Sequence, residues 1–375
     1  MRRWLAVLVG IGLLLALPSV VAALPATNST ISAATLLGRI QHSGPVGYSG
    51  YAESTGGLAL PVTSQFTALS DLFGGNTRLR VWWRSDRDWR VDSIGLAGET
   101  DTHTEDLGAW TWNYESNTAT FTDQPITPEV RLPTDADLLP PQLARRLLSQ
   151  ATATEASRLP SARIAGHAAA GLRIVPADPV STIDHVDVWA DPDTGLPLKV
   201  RAVGKGSASS AIASSFLDVQ LSPPPARRTA FVIPAGVDLH FETGQDLATT
   251  IDRLGGAAPP TKLAGIPRNG LLPTLGSIGV YGRGVTEFVA VPLPVRTGYS
   301  LHSQLAPVAG TQTVPGVPTD PDGDSLQLTL SSGPLNLLLT PANFPGGPWL
   351  LVGTVSTDTL TKAAGELPAQ SRSSR

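Results

Sequence analysis

The histidines and acidic residues of this 375-residue chain offer few groupings with the spacing of a catalytic or metal site. His103 stands close to Glu105, and His185 lies between Asp184 and Asp187. Each group would place two metal ligands, or an acid and a base, on one strand. A zinc site needs three or four converging ligands, so two on one strand are not enough. We interpret both groups as solvated strand residues.

The sequence motifs of common enzyme classes are also lacking. Gly204–Ser207 does not have the spacing of a phosphate-binding loop, and neither HExxH nor GxSxG occurs. The chain has no cysteine, which excludes thiolate nucleophiles, disulfides and cysteine-ligated metals. Asp191–Gly195 and Asp320–Asp324 have the spaced carboxylates of turns but not the final bidentate Glu of an EF-hand. We expect no enzyme activity, no metal and no cofactor; a secreted hydrolase with an unrecognised Ser/His/Asp triad is the alternative of another class.

The net charge and the first residues indicate the class of partner and the cellular location. There are 27 Lys+Arg and 31 Asp+Glu, a net charge of -4, which argues against a nucleic-acid partner. Arg2 and Arg3 precede an apolar run, Trp4–Leu17, and small residues follow up to Ala23. This pattern predicts a signal peptide over residues 1–23 and export to the periplasm or cell envelope. An uncleaved N-terminal anchor is the alternative, so contact with a membrane would be peripheral or through this segment.

Alternating apolar and polar residues predict a series of strands after position 76. Within Thr77–Arg84, Trp89–Leu96 and Ala109–Tyr114, bulky apolar side chains recur at every second position and share one face of each strand. Two short amphipathic helices, Ser64–Phe73 and Gln142–Ser149, could cover that face. Either the space between sheet and helices is a filled core, or it is a cavity for an apolar ligand. The residues that would line such a cavity are Leu79, Val81, Trp83, Trp89, Val91, Trp110, Trp112 and Tyr114 of the strands, and Phe66, Phe73 and Leu147 of the helices.

The order of these patterns predicts a mainly β (α+β) fold with a large antiparallel sheet, a few short helices and a second, smaller β-rich unit. Proline- and glycine-rich stretches separate the units. The expected organisation is a signal peptide (1–23), a linker (24–43), a large β domain (44–245), a linker with a short helix (246–275), a small α+β domain (276–367) and a disordered tail (368–375).

Four stretches resemble the lipoprotein-carrier superfamily, which includes the LolA and LolB carriers and the regulators RseB and MucB. The first is VGYSGYAEST, which begins at Val46 and matches an extended first strand. RLRVWWRSDRDWRVD contains Trp83, Arg84, Trp89 and Arg90, and EDLGAWTWNYES follows it with an aromatic strand. DPDTGLPLKV, which begins at Asp191, matches a later strand turn of that group. The resemblance covers about residues 44–241. It implies a curved, half-open antiparallel β-barrel that is covered by short helices and receives acyl chains on its concave face.

The additional C-terminal domain resembles the two-domain layout of the RseB and MucB regulators. The resemblance implies a binding protein for lipid or lipoprotein acyl chains that regulates an extracytoplasmic, sigma-E type envelope-stress system, with a membrane-bound anti-sigma factor as partner. A LolA-like carrier of lipids or lipoproteins is the alternative within the same superfamily.

Overall fold

The computed structural model describes residues 29–58, 73–95, 98–123, 133–244, 258–269, 276–308, 310–314, 327–341, 344 and 347–368. The expected signal peptide, Phe66 and nearly all of the expected helix Ser64–Phe73 lie outside these ranges. No helix within them has the length and the apolar character that crossing a bilayer requires.

The first domain is one open sheet of twelve strands, as the alternating pattern predicts. The strands are β1 Tyr48–Gly56, β2 Asn76–Ser85, β3 Asp88–Gly95, β4 Gly98–Glu105, β5 Gly108–Asn113, β6 Thr118–Asp123, β7 Ala156–Ile164, β8 His167–Ile174, β9 Ile183–Ala190, β10 Pro197–Gly204, β11 Ser210–Gln220 and β12 Asp238–Thr243. Five strands, β2 to β6, follow one another in chain order as a meander, and β1 joins them to β11, β10, β9, β8 and β7. The edge strand β12 pairs with β6 in parallel, which departs from the expected antiparallel arrangement.

Two helices, α1 (Ala33–Gln41) and α2 (Pro140–Leu148), cover one face of this sheet. Helix α1 begins after Ser32, whose side chain accepts a hydrogen bond from the Thr35 amide at 3.1 Å. Helix α2 begins with two prolines, which suit the first turn because their missing N–H groups would be unpaired there. We call the face under these helices the concave face and the opposite one the convex face.

Helix α1 lies in residues 24–43, which the sequence predicts to be a linker with one helical turn at Ala33–Ile40. Its residues Leu36, Leu37 and Ile40 are all buried in the core of the first domain. These three residues form one short stripe within a small-residue stretch, so the helix depends on packing against the sheet rather than on its own pattern.

The second domain is a six-stranded sheet with helices α3 (Val295–Leu305) and α4 (Thr357–Gly365), preceded by a two-stranded hairpin. The hairpin strands are β13 Lys262–Leu263 and β14 Ile266–Pro267. The sheet strands are β15 Gly279–Arg283, β16 Thr286–Pro292, β17 Gln312–Val314, β18 Gln327–Ser332, β19 Leu335–Leu339 and β20 Trp349–Gly353. The fold class is therefore the expected one: a mainly β half-barrel with a helical cover and a smaller C-terminal domain.

Helix α3 has no counterpart in the sequence expectation. Its apolar stripe consists of Leu301 and Leu305, which are buried, and Gly298 interrupts it. The glycine is required by packing, because a Cβ there would lie 2.0 Å from Pro348 Cγ. A close approach between chain segments thus replaces the hydrophobic side chain that would have revealed the helix.

Candidate ligand-binding faces of the half-barrel and the domain junction

The concave face over β1–β3 is a packed core. Leu79, Val81 and Val91 are buried, and they belong to one cluster with the apolar residues of α1 and α2. Trp83 stacks between Tyr48 and Trp89, with ring centroids 6.0 and 5.3 Å away. A ligand at this part of the sheet would have to displace a helix, because these side chains already fill the space beneath it.

The concave face over β4–β6 carries small side chains instead. Val91 pairs with Thr102, Thr102 with Thr111, and Thr111 with Thr120. Directly paired residues point to the same face of a sheet, so this threonine row continues the core face of β3. The concave residues of the three strands are Thr100, Thr102, Thr104, Ala109, Thr111, Asn113, Thr118, Thr120 and Thr122.

The bulky aromatic residues of β5 lie on the convex face. Trp110 pairs with His103, and Trp112 pairs with Asp101, both on the face opposite to the threonines. Trp110 packs against Phe121, Phe231 and Phe241 at centroid distances of 5.0, 4.9 and 6.2 Å. Trp112 lies against Tyr114, 3.9 Å between centroids. The aromatic residues of β5 therefore cannot share a cavity with Trp83.

The candidate residues from the sequence thus divide into two groups. Leu79, Val81, Trp83, Trp89 and Val91 share the concave face, whereas Trp110, Trp112 and Tyr114 belong to the other side. Phe73 and Leu147 are half-buried and pack against the concave core. The reason is the register between strands. Each strand alternates as predicted, but the pairing of β4 with β5 determines which alternate residues of β5 face the helices.

One convex cluster brings three carboxylates together. An oxygen from each of Asp92, Glu99 and Asp101 lies within 4.8 Å of the other two. Arginines already bind them: Arg90 donates to Asp92 Oδ1 at 2.5 Å and to Asp101 Oδ2 at 2.8 Å, and Arg80 contacts Asp92 and Glu99. The two guanidinium groups leave one negative charge in excess. Burial is the larger cause and the nearby charge of Asp92 the second; together they raise the pKa of Asp101 to about 7.

The second convex cluster has the opposite balance. Asp187 is fully buried and accepts paired hydrogen bonds from Arg173 at 2.7 and 2.9 Å and from Arg201 at 2.9 and 2.6 Å. Burial alone would raise the pKa of Asp187, but these arginines lower it. His185 Nε2 lies 3.5 Å from Asp187 Oδ2. The His185 group of the sequence is therefore part of an arginine–aspartate ion-pair network.

His103 has a structural role. Its Nδ1 atom lies 2.7 Å from the carbonyl oxygen of Thr229, and its ring packs against Phe231. Burial lowers the pKa of His103, so the ring is neutral near pH 7. His103 thus fastens the segment around Thr229 to the convex face.

The two domains are joined by backbone hydrogen bonds, and each contributes a side chain that packs against the core of the other. Thr182 donates its N–H to the Thr354 carbonyl at 2.9 Å, and Ser356 donates to the Val180 carbonyl at 3.0 Å. Val180 packs against the core of the second domain. Val285 of the second domain packs in return against the core of the half-barrel. The junction is therefore an ordered interface.

A cleft of about 550 Å³ lies at this junction. Its apolar walls include Leu147, Ile174 and Ile266, and an ion pair between Glu155 and Arg283, 2.8 Å long, borders it. Leu147 is the one lining residue of this cleft that the sequence predicts to bind a ligand. The other lining residues are far apart in the chain, so no local pattern could have grouped them.

The fold and these surfaces define a two-domain protein with a helix-covered half-barrel. No protein-family model matches the sequence, and no curated protein matches it. Among solved structures, the chain is similar to one in the complex structure of Pseudomonas aeruginosa MucA/MucB, with 15% identity over 90% of this chain and 99% of that one and a TM-score of 0.47. For the crystal structure of MucB in complex with MucA(peri), the identity is 14% over 90% of this chain and 99% of that one, with a TM-score of 0.46.

The chain is also similar to the LolA superfamily protein NE2245 from Nitrosomonas europaea, with 11% identity over 54% of this chain and 99% of that one and a TM-score of 0.23. These solved structures belong to the group of proteins that the sequence resembles. At these identities and TM-scores they show neither a family nor a role, and function has to be argued from the residues of this chain.

Proposed function

We propose that this protein is an exported, non-catalytic binding protein that holds an acyl chain of a lipid or lipoprotein on the concave face of its half-barrel. The observation that carries the proposal is the distribution of side-chain size across β4–β6. Threonine and alanine occupy the concave positions, while the tryptophans of β5 occupy the convex ones. Small β-branched side chains leave room above the sheet and present methyl groups to a ligand.

A pair of adjacent substitutions tests this proposal. Thr111→Trp places a large ring on the concave face, and Trp112→Ala, its matched control, removes one from the convex face. Each buried methylene contributes about 0.8 kcal/mol, so a ring that displaces two of them weakens binding about tenfold. We expect this loss in a fluorescent fatty-acid titration of Thr111→Trp, and unchanged affinity in Trp112→Ala. Loss of binding in Trp112→Ala alone would refute the concave site.

We further propose that the protein acts as a regulator of an extracytoplasmic sigma-factor system, with the extracytoplasmic part of a membrane-bound anti-sigma factor bound at the domain junction. The partner comes from the family resemblance of the sequence. The support in the structure is the cleft between Ile174 and Ile266, whose apolar walls and charged border suit an extended peptide.

Site-specific photocrosslinking in the native host tests the partner. A crosslinker at Asp178, which lines the cleft, should capture a membrane protein with a cytoplasmic sigma-factor-binding domain. The control position is Leu107, which is 78% exposed on the β4–β5 turn. Capture of diverse lipoproteins from position 178 would instead support the carrier function, and equal capture from both positions would refute a specific site at the junction.

A further inference from the structure

One stretch of chain crosses the convex face and presents its outer side to solvent. Residues 222–237, which we call the convex strap, run from β11 to β12. At one end, Arg84 donates a hydrogen bond to the Pro224 carbonyl at 2.7 Å, and at the other Asn117 donates one to the Gly236 carbonyl at 3.0 Å. The contacts to β4 and β5 described above fasten its middle. The strap is therefore held against the sheet along its length.

The outer side of the strap carries large apolar side chains that are open to solvent. Val232 is 81% exposed, and Ile233 beside it is also exposed. The next strand, β12, adds Leu239 and Phe241, and Phe241 is 72% exposed. Phe241 pairs with Phe121, which lies on the convex side, and Leu239 shares that side because it is two positions away. Several exposed large apolar side chains on one side of a domain indicate a binding surface.

The first residues of the strap border a groove of about 590 Å³ over β1 and β2. Tyr51 and Trp82 line it from the strands, and the guanidinium of Arg90 lies 5.0 Å from the Trp82 ring on the convex side. Arg227 and Arg228 line it from the strap, and both are exposed. Neither of these two arginines has an ion-pair partner among the residues that the structure describes. Their charges are therefore available to a ligand.

Few carboxylates compete for these arginines. Asp218 is the one acidic residue among the described residues that line the groove, so the two strap arginines leave positive charge in excess. The acidic residues of β12 point the other way, because Asp238 pairs with Thr118 and Glu242 with Thr122 on the concave face. The convex side thus combines exposed apolar side chains with unneutralised arginines, although the whole chain has a net charge of -4. A bilayer with anionic lipids offers the matching chemistry: phosphates for the guanidinium groups and an interfacial region for the apolar side chains.

We infer that the outer side of the convex strap and β12 is a docking surface for a membrane that contains anionic lipids. Arg227 and Arg228 contact lipid phosphates beside the groove, and Val232, Ile233 and Phe241 enter the interfacial region. Because the strap is already fixed to the sheet, docking does not require it to become ordered first. The inference does not rest on the proposed acyl site, which lies on the opposite face of the sheet.

A single fluorescent label tests this surface, because the sequence has no cysteine of its own. Val232→Cys carries the environment-sensitive fluorophore NBD and is titrated with vesicles of phosphatidylglycerol and phosphatidylcholine, or of phosphatidylcholine alone. The matched control is Val295→Cys, also an exposed valine, on helix α3 of the second domain. We expect NBD at position 232 to become brighter and blue-shifted with the anionic vesicles, and NBD at position 295 to stay unchanged. The signal reports the surroundings of residue 232 itself, so attachment through the N-terminal segment does not produce it.

A double substitution tests the contribution of charge. A basic residue near an anionic bilayer surface contributes about fivefold to binding. Combining Arg227→Gln with Arg228→Gln should therefore weaken the binding measured at position 232 by about 25-fold. Arg296→Gln, which replaces an exposed arginine of helix α3, should leave it unchanged.

Each outcome supports or overturns the membrane surface. A response at position 232 to anionic but not to neutral vesicles, weakened in the double arginine variant, would support it. No response to anionic vesicles would overturn it, and so would equal responses at positions 232 and 295, which would indicate non-specific adsorption. A signal that changes with protein concentration in the absence of vesicles would overturn it in favour of a second copy of this chain. The fatty-acid titration of Thr111→Trp uses no bilayer, so the proposed function stands or fails separately.

Discussion

Two of the buried aspartates of the convex face, Asp101 and Asp187, should respond in opposite ways to the same substitution. Asp101 shares a cluster with Asp92, Glu99, Arg80 and Arg90, in which negative charge exceeds positive charge by one. Asp187 instead lies between two arginines. We therefore predict that Asp101→Asn stabilises the protein above pH 7, and that Asp187→Asn destabilises it.

The magnitudes follow from proton linkage. The pKa of Asp101 is about 7 in the folded protein and 3.8 in an unperturbed chain, a difference of about 3 units. The folded state thus binds more protons than the unfolded state between about pH 4 and 7, and stability falls as the pH rises through this window. At 1.36 kcal/mol per unit, the charged Asp101 costs at most about 4 kcal/mol at pH 8. The hydrogen bond that Arg90 makes to this carboxylate reduces the gain in Asp101→Asn.

For Asp187 the sign is reversed, because its pKa is lowered. The stability that this carboxylate provides is present above its unfolded pKa and is lost as the pH falls through its folded pKa. Asp187→Asn leaves Arg173 and Arg201 without their anion. Removing one partner from a buried pair costs about 3–5 kcal/mol, and the partial exposure of both arginines places the expected loss near the lower end.

Urea unfolding at pH 5 and pH 8 measures both effects. Asp101→Asn should raise the free energy of unfolding at pH 8 by about 1–4 kcal/mol, and by less than half as much at pH 5. It should also flatten the pH dependence of stability between these values. Asp187→Asn should be destabilised at pH 8. If Asp101→Asn lowered the stability at pH 8 as much as Asp187→Asn does, the excess-charge reasoning would be refuted.

Three further substitutions test the junction and the core. Arg283→Met removes the ion pair with Glu155, so hydrogen–deuterium exchange at the Thr182 amide should become faster; an unchanged rate would mean that this ion pair does not hold the domains together. Leu148→Ala removes a fully buried side chain that helix α2 packs against the concave face, and it should lower the free energy of unfolding in urea by about 2–5 kcal/mol. Leu147→Ala should lower it by less, because Leu147 is half-buried; equal losses would contradict the observed packing.

The sequence predicts the face of each residue within a strand, but not how neighbouring strands are phased. Leu79, Val81 and Trp83 share a face, as their period of two requires. Nothing in β5 alone indicates that Trp112 pairs with Asp101 rather than with Thr102. The residue types of β4 do distinguish its two faces, because aspartate and histidine alternate with threonine along the strand. Only the cross-strand register shows which of the two rows is buried among arginines and which faces inward.

Other parts of the candidate site depend on contacts between distant residues. The junction cleft joins Leu147, Ile174 and Ile266, which belong to three separate segments of the chain. The stacked rings of Tyr48, Trp83 and Trp89 come from three strands, and each has an ordinary residue type for its element. Such sites arise from packing, so single-sequence patterns can predict the elements and still not reveal their assembly.

The pair Thr111→Trp and Trp112→Ala also decides between the two surfaces that could hold an apolar ligand. If fatty-acid binding is sensitive to position 111 alone, the ligand lies on the concave face. If binding is measurable but insensitive to both positions, the junction cleft becomes the site, because its volume of about 550 Å³ lies within the range of small-ligand pockets. In that case the acyl ligand and the anti-sigma segment would compete for one space. A ligand that released the partner would then do so by direct displacement, without a signal through the half-barrel.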